Sequence, residues 1–180
     1  MNLIPPLPSP EILPDTFTLG ETDAEIPLHT AKDNQEAALQ LASQAKLHLA
    51  IYSQNLDPAV YDNEDFRSQL VRIARNHRQA SIRILVQDSS IAVRQGHALI
   101  RVAQSLTTHV TVHQIPRFYQ NVTACFLVAD RVGLLYRNDV AEFTGSANFN
   151  SPPRAQKLLE HFDEVWRQSE PEPQFRRLYI

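Results

Sequence analysis

Apolar and polar positions along residues 30–115 predict helices and strands in regular succession. Apolar side chains that recur every three to four positions predict helices at 31–45, 64–77 and 96–106. Short apolar runs between them predict strands at 47–54, 81–87 and 109–115. The polar stretch 87–94 predicts a loop. Strands and helices that alternate at this spacing indicate crossover units and parallel strands covered by helices.

The pattern changes after Pro116. Two apolar runs, at 122–130 and 134–137, flank a turn at Asp130–Gly133 and predict a β-hairpin. The segment at 142–150 follows directly, and apolar side chains at helical spacing predict a last helix at 153–168. The fold class predicted from the whole pattern is α/β, with a mixed, largely parallel sheet flanked by helices.

Proline marks both ends of the chain. Prolines between residues 5 and 14 exclude a helix or a central strand there, so residues 1–29 are predicted to be a proline-rich arm. Apolar side chains in the arm, such as Phe17, predict that part of it lies on the domain or on a partner, and its PPLP stretch offers the alternative of a proline-recognition ligand. Residues 30–170 are then the folded domain, and 171–180 form a C-terminal tail.

Composition excludes several classes of function. The formal net charge of -3 gives no overall basic field, so nucleic acid is not an expected partner. The single cysteine, Cys125, excludes an internal disulfide and a cysteine-rich zinc site, and 4 glycines are too few for a glycine-rich nucleotide loop. We therefore expect no cofactor and no metal.

Neither a signal-peptide pattern nor a membrane-spanning run is visible in the sequence. Residues 1–14 carry no Lys or Arg, and no apolar stretch approaches the roughly 20 residues that a membrane helix needs. The expected compartment is the cytoplasm, and no membrane is expected as a partner.

Residues 123–150 carry a candidate chemical motif. Asp130 is followed later in the chain by Gly-Ser-Ala-Asn at 145–148. These residues resemble the signature of the phospholipase D superfamily, in which His-x-Lys-x4-Asp precedes Gly-Ser-x-Asn. Counting back from Asp130 puts Thr123 at the histidine position and Cys125 at the lysine position. The resemblance is to a bacterial branch of that superfamily.

The resemblance implies a fold, a reaction and an assembly. The domain would adopt one half of the phospholipase D fold, with FDEVW at 162–166 in its closing helix. In the family, the histidine of one motif attacks phosphorus, a second histidine protonates the leaving oxygen, and the lysine binds the phosphate. Members with one motif per chain pair two chains to complete a site, which implies a homodimer or a partner domain here.

The two replaced positions predict that this chemistry is lost. A threonine hydroxyl at 123 is not basic or nucleophilic near neutral pH, as an imidazole is. A neutral thiol at 125 supplies no positive charge to a phosphate. Side chains two residues apart on a strand lie on the same face, so Thr123 and Cys125 are expected where the catalytic pair would stand. The motif is therefore predicted to be degenerate, and the domain to be a pseudoenzyme.

Four other residues are candidate ligand-binding groups. Ser146 and Asn148 can donate hydrogen bonds to a phosphate-like anion, or they can simply form a turn. Gln54 lies at the C-terminal end of a predicted strand, where ligands of parallel sheets gather, or it is an ordinary polar loop residue. Arg137 can supply the charge that Cys125 lacks, or it can pair with a nearby carboxylate. The carboxylates expected to pair with Arg137 are Asp130, Asp139 and Glu142. The polar residues that can share one pocket with Gln54 and Asn148 are Tyr52, Asn55, Gln87 and Asp88.

Three functions remain open on the sequence alone. The first is a non-catalytic phospholipase D-like module that binds an anionic ligand or a protein partner. The second is a weak or divergent phosphodiesterase or nuclease, in which His113 on the preceding strand, or a neighbouring histidine, acts as base. The third is a structural dimerisation domain. His109 and His113 also have a metal-ligand spacing, but no third ligand is evident.

Overall fold

A computed structural model describes residues 17–175 of the chain. The strands are β1 (Ile26–Leu28), β2 (His48–Ser53), β3 (Ser81–Val86), β4 (Val110–Gln114), β5 (Cys125–Ala129), β6 (Gly133–Arg137), β7 (Gly145–Asn148) and β8 (Glu170–Pro171). The helices are α1 (Ala31–Gln44), α2 (Pro58–Tyr61), α3 (Glu64–Asn76), α4 (Ser90–Gln95), α5 (Ala98–Ser105) and α6 (Pro152–Gln168). Two 3₁₀ turns lie at Arg117–Tyr119 and Pro173–Phe175. No helix within residues 17–175 is long and apolar enough to cross a membrane.

The described strands form one sheet in the order β1-β7-β6-β5-β2-β3-β4-β8. The predicted α/β class with a mixed sheet flanked by helices is confirmed. Parallel pairing is less extensive than the sequence predicted, because it joins only β2 to β3 and β3 to β4 among the described strands. The hairpin β5–β6 is the reason: it enters on the other side of β2 in antiparallel register, and β7 and β1 extend it in the same way.

The two faces of the sheet are covered by different helices. On one face, called the α1 face, Ile51, Leu127 and Leu135 join a core with residues of α1, α3 and α5. On the other, called the α6 face, Tyr52 and Phe126 join a core with residues of α6. Alternate residues of each strand belong to alternate faces, as the two-residue period of a strand requires.

Most predicted elements are confirmed, and their ends follow local chemistry. The Thr30 hydroxyl accepts a hydrogen bond from the Asp33 amide (3.1 Å), and the Asp33 carboxylate accepts one from the Thr30 amide (2.9 Å), a capping box that starts α1. The β5–β6 hairpin turns through Asp130 (φ 46°) and Arg131 (φ 65°), both left-handed, as in a type I′ turn.

The predicted loop at 87–94 is confirmed for residues 87–89 and wrong beyond them, because Ser90–Gln95 form the short helix α4. Gly96 ends this helix in the left-handed conformation (φ 67°), so α5 starts only at Ala98 and not at residue 96. The buried residue of α4 is Ala92, and a six-residue helix with one buried side chain shows no apolar periodicity to recognise.

Part of the predicted arm belongs to the sheet. Ile26–Leu28 pair with Gly145–Ala147 as an antiparallel edge strand, and Pro27 is tolerated there because an edge residue can lack a ladder N–H. The Phe17 ring stacks on the Phe149 ring at 5.6 Å, in line with the expectation that apolar arm residues lie on the domain. The PPLP stretch and residues 176–180 lie outside the described residues.

Candidate functional site

The residues at motif positions Cys125 and Asp130 lie at opposite edges of the sheet. β5 runs antiparallel to β2, so Cys125 at its start lies at the carboxyl end of β2 and Asp130 follows its other end. We call the first the carboxyl edge, comprising Cys125, Arg137, Gly145 and the loop Gln54–Asp57 after β2. We call the second the amino edge, where β2 and β3 begin.

Asp130 has a structural role at the amino edge. Its carboxylate accepts hydrogen bonds from the backbone amides of Lys46 (2.7 Å), Leu47 (2.9 Å) and His48 (2.8 Å). Its own amide donates to the His48 carbonyl at 2.9 Å. The aspartate of the motif thus ties the hairpin turn to the start of β2 and takes no part in the carboxyl edge.

Thr123 and Cys125 have different surroundings. Thr123 precedes β5 and is exposed, and its hydroxyl donates a hydrogen bond to the Asn138 carbonyl at 3.0 Å. Cys125 is the first residue of β5 and is only 2% exposed. Its register partner is Arg137, and Arg137 in turn pairs with Gly145, so these three side-chain positions share the α1 face.

A buried ion pair lies beside Cys125. Arg137 is 2% exposed, and its Nη2 donates to the Asp57 Oδ2 at 3.0 Å. The guanidinium carbon is 5.2 Å from the centre of the Phe143 ring, and Nη1 has no hydrogen-bond partner among the described residues. The carboxylates considered from the sequence for Arg137 were wrong. The actual partner is 80 residues away in the chain, so no local pattern could have indicated it.

The Cys125 thiol is protonated in this environment. Burial raises the pKa of Cys125, and it outweighs the Gln54 amide and the Arg137 guanidinium, which act in the opposite direction. Burial likewise raises the pKa of Tyr61, which lies in the same region. The cluster therefore holds one buried cation, one buried carboxylate and neutral neighbours.

The loop that carries Asp57 is held by several hydrogen bonds. Leu56 adopts the left-handed conformation (φ 54°), and its amide donates to the Ser53 hydroxyl at 3.1 Å. Asp57 caps α2 by accepting from the Ala59 amide at 3.2 Å, so its two carboxylate oxygens serve the helix and Arg137 separately. A non-glycine residue with positive φ is uncommon, and this one turns the chain toward Arg137.

His97 fastens this loop to α5. Its Nδ1 accepts from the Leu99 amide at 3.2 Å, so the ring proton is on Nε2, which donates to the Leu56 carbonyl at 3.0 Å. Asp62 accepts from the Ala98 amide at 2.8 Å and lies 3.8 Å from His97 Nδ1. Burial lowers the pKa of His97, although Asp62 and the Leu56 carbonyl oppose that shift. His97 is neutral in the folded protein at neutral pH.

Ser146 and Asn148 lie on the α6 face, away from Arg137. The β6–β7 register pairs them with Tyr136 and Leu134, whereas Arg137 belongs to the α1 face. The Ser146 hydroxyl is 3.5 Å from Arg154 Nη2. The Asn148 amide donates to Asp23 Oδ1 at 2.8 Å, and its oxygen accepts from the Asn150 amide at 2.8 Å. These two side chains and Arg137 thus do not converge on one ligand.

Two of the polar residues expected at the carboxyl ends of β2 and β3, Gln54 and Asp88, form local hydrogen bonds. The other three each have a buried polar atom without a hydrogen-bond partner among the described residues, namely the Tyr52 hydroxyl, Asn55 Oδ1 and Gln87 Oε1. Gln54 donates to the Val122 carbonyl at 3.2 Å, and Asp88 accepts from the Ser90 amide at 2.9 Å at the start of α4. The pKa of Asp88 is lowered by its hydrogen bonds with Ser90. Tyr52 is fully buried beside the His161 ring (5.4 Å), and burial raises its pKa to about 12.

His113 cannot act as a base for Cys125. It lies on β4, and β2 and β3 separate β4 from β5 in the sheet, a distance of about 14 Å at the usual strand spacing. Its ring stacks on Trp166 at 3.9 Å and contacts the Ser169 hydroxyl at 2.8 Å. His109 contacts the Ala80 carbonyl at 3.0 Å. No group of three metal-ligating side chains occurs within residues 17–175.

Comparison with known proteins gives a family and a fold. The model of a family described as a domain of unknown function, DUF7931, matches residues 30–178. No curated protein matches the chain. Among solved structures, Nuc from Salmonella typhimurium, a phospholipase D family member, is similar with a TM-score of 0.58 and 15% identity, over 83% of this chain and 99% of that chain.

Two longer proteins contain the same fold. Phosphatidylserine synthase of Haemophilus influenzae Rd KW20 matches with a TM-score of 0.56 and 10% identity, over 84% of this chain and 40% of that one. TrmBL2, an archaeal chromatin protein with a novel mode of DNA binding, matches with a TM-score of 0.61 and 10% identity, over 82% of this chain and 54% of that one. The chain thus spans about half the length of TrmBL2, and at such identities the likeness shows a phospholipase D-like fold.

Proposed function

The chain belongs to the DUF7931 family, and we propose that it is a non-catalytic phospholipase D-like module whose phosphate-binding position is filled by its own Asp57 carboxylate. The observation that carries the proposal is the buried ion pair between Asp57 and Arg137. It lies beside Cys125, which occupies the motif position where the resemblance expects the phosphate-binding lysine.

A carboxylate on Arg137 is a chemical substitute for a phosphate. Carboxylate and phosphate oxygens both match the planar fork of a guanidinium, so each accepts the same hydrogen bonds. Arg137 pairs with Cys125 across the ladder, which returns a positive charge to the place where a lysine is missing. An external anion would have to displace Asp57 and leave a buried carboxylate unpaired, which costs several kcal/mol. This cost argues against phosphate binding at the carboxyl edge.

The groups that would do the chemistry are also unsuited to it. The Thr123 hydroxyl is exposed and donates to a backbone carbonyl, and the pKa of the buried Cys125 thiol is raised. His113, the base of the phosphodiesterase hypothesis, lies three strands away. A nucleophile without a base within hydrogen-bond reach supports the non-catalytic interpretation.

Hydrolysis of bis(p-nitrophenyl) phosphate by the purified chain tests the proposal. We expect no turnover above the buffer rate, and the same result for the matched variants Thr123→Ala and Cys125→Ser. Turnover by the wild-type chain that either variant abolishes would overturn the proposal and favour the divergent phosphodiesterase or nuclease.

A homodimer or a partner domain and a cytoplasmic location are part of this proposal, and a structural dimerisation domain is an alternative to it. In the family that the sequence resembles, chains with a single motif pair to complete a site. Light scattering coupled to size-exclusion chromatography over a range of concentrations checks the dimer. If the measured mass equals that of one chain at every concentration, the protein is a monomer. That result would contradict both the homodimer and the structural dimerisation domain.

A further inference from the structure

A cleft of about 70 Å³ lies at the amino edge, between the sheet and α6. Polar and charged side chains provide much of its lining, namely His48, Ser81, Arg83, Arg131, Gln156 and Asp163. Its lining reaches Ala50, three residues before the end of β2, so this cleft is about 10 Å from the carboxyl edge. It also lies on the α6 face, whereas Arg137 lies on the α1 face. It is therefore separate from the Asp57–Arg137 pair.

Small residues of the sheet leave this space open. Ala50 of β2 is the register partner of Arg83 on β3, and both lie on the α6 face. With a methyl group at one position and a half-buried arginine at the other, α6 does not close on the sheet there. The Arg83 guanidinium instead lies against two rings of α6, at 4.9 Å from Phe162 and 5.4 Å from Trp166. These cation–π contacts hold it in a fixed place.

The cleft has an excess of positive charge. Arg83 Nη1 donates to Asp163 Oδ1 at 2.8 Å, which engages one nitrogen of its fork. Arg131 comes from the hairpin turn and has no ion pair among the described residues. The neighbouring Asp130 carboxylate is already occupied by three backbone amides. Two guanidinium groups thus face one lining carboxylate, in a chain of net charge -3.

We propose that this amino cleft binds a phosphoryl group through Arg83 and Arg131. Guanidinium forks match phosphate oxygens, and the Ser81 hydroxyl and the Gln156 amide add donors to the lining. The volume has room for a few water molecules, which one tetrahedral anion would replace. An open groove that shares Arg83 and Asp163 and continues past Trp166 gives space for the rest of a phosphorylated small molecule.

The charge in the turn is held in place by the fold. Asp130 fixes the hairpin to the start of β2, and Arg131 is the next residue, at a left-handed position where a long side chain is uncommon. Glycine is the residue that such a turn favours at this place. The presence of an arginine there is thus not explained by the turn, and it does supply charge to the cleft. This inference does not depend on the proposed function, because it concerns the other edge of the sheet.

Titration of the full chain with inorganic phosphate and with phenyl phosphate tests the inference, followed by amide NMR shifts and compared with chloride at matched ionic strength. Saturable shifts are expected at Ser81 and Arg131 with phosphate and not with chloride. Tighter binding of phenyl phosphate would identify a phosphorylated small molecule as the ligand, and equal binding would identify free phosphate. Shifts that are equal in phosphate and chloride would overturn the inference.

Arg131→Gly removes the charge while suiting the left-handed turn, so the variant is expected to fold and to bind phosphate at least about tenfold more weakly, as loss of a charge-assisted hydrogen bond implies. Arg101→Ala is the matched control, since Arg101 is exposed on α5 and its loss changes net charge equally. Equal weakening in both variants would show a general charge effect and sink the proposal. Arg83→Lys, which keeps the charge without the fork, should weaken binding several-fold as a second check.

Discussion

The two edges of the sheet hold arginines in opposite situations. At the carboxyl edge Arg137 is 2% exposed, and Asp57 supplies a carboxylate from within the chain. At the amino edge Arg83 is 30% exposed and pairs with Asp163. Arg131 lines the same cleft, which has no second carboxylate among the described residues of its lining. The charge of a buried guanidinium must be compensated by a group of the same chain, whereas a partly exposed guanidinium is solvated by water and remains accessible to an external anion. The carboxyl edge, which carries the motif position Cys125, is thus closed by an internal ion pair, whereas the accessible arginines lie at the amino edge.

The largest expected effect is at the buried pair. Asp57→Asn leaves the Arg137 charge buried without compensation, so the free energy of unfolding should fall by about 3–5 kcal/mol in urea denaturation. Asp65→Asn, an exposed residue in the first turn of α3, is the matched control and should change it by less than about 0.5 kcal/mol. The double variant Asp57→Leu/Arg137→Met should recover most of this loss, short of about 1 kcal/mol for the cap that Asp57 provides to α2. A small effect of Asp57→Asn would contradict the contrast between the two edges, because Arg137 would then not depend on Asp57 for compensation of its buried charge.

The second-largest effect on the free energy of unfolding is expected at Asp130, which holds the hairpin that carries Arg131. Asp130→Asn keeps a residue that tolerates the left-handed turn but cannot accept from all three amides at Lys46–His48. The free energy of unfolding should fall by about 2 kcal/mol. Asp139→Asn, in which the replaced carboxylate accepts only from the Ala141 amide at 2.9 Å, should cost less. Equal effects of the two variants would contradict a structural role for the motif aspartate.

His97 predicts a pH dependence that originates at the carboxyl edge. Burial lowers its pKa in the folded state below the ordinary 6.5, so the unfolded chain binds more protons than the folded one between these two values. Stability is therefore complete above about pH 6.5 and falls as the pH drops through that window, by at most about 1.4 kcal/mol per pH unit. Thermal unfolding between pH 7.5 and 5 measures it. His97→Gln should flatten the profile, whereas the exposed His29→Gln should not.

The smallest effect is expected at Arg131. Replacing this left-handed residue with glycine relieves backbone strain, partly offset by the greater freedom of glycine in the unfolded chain, so Arg131→Gly should stabilise the protein by about 0.5–1 kcal/mol. Thermal unfolding without added anion checks it. A lower Tm would mean that the Arg131 side chain is part of the fold, and it would remove the contrast between the closed edge and the open one.

Local chemistry made much of the fold predictable. The start of the first helix, the hairpin at Asp130–Gly133 and the last helix each depend on neighbours within four residues, and each was predicted close to its observed position. The helix α4 was missed because a six-residue helix with one buried side chain leaves no periodic pattern. The edge strand β1 falls within the predicted arm, because its pairing partner lies more than a hundred residues later and leaves no local signal.

Side-chain identity and local spacing are enough to predict the alternation of strands and helices and to show which residue types stand at the motif positions. Which charged side chains meet depends on contacts between distant parts of the chain. Strand order put His113 three strands from Cys125, and strand register put Ser146 and Asn148 on the face opposite to Arg137. The partner of Arg137 came from a loop 80 residues away, since compensation of a buried charge depends on where the chain returns in space.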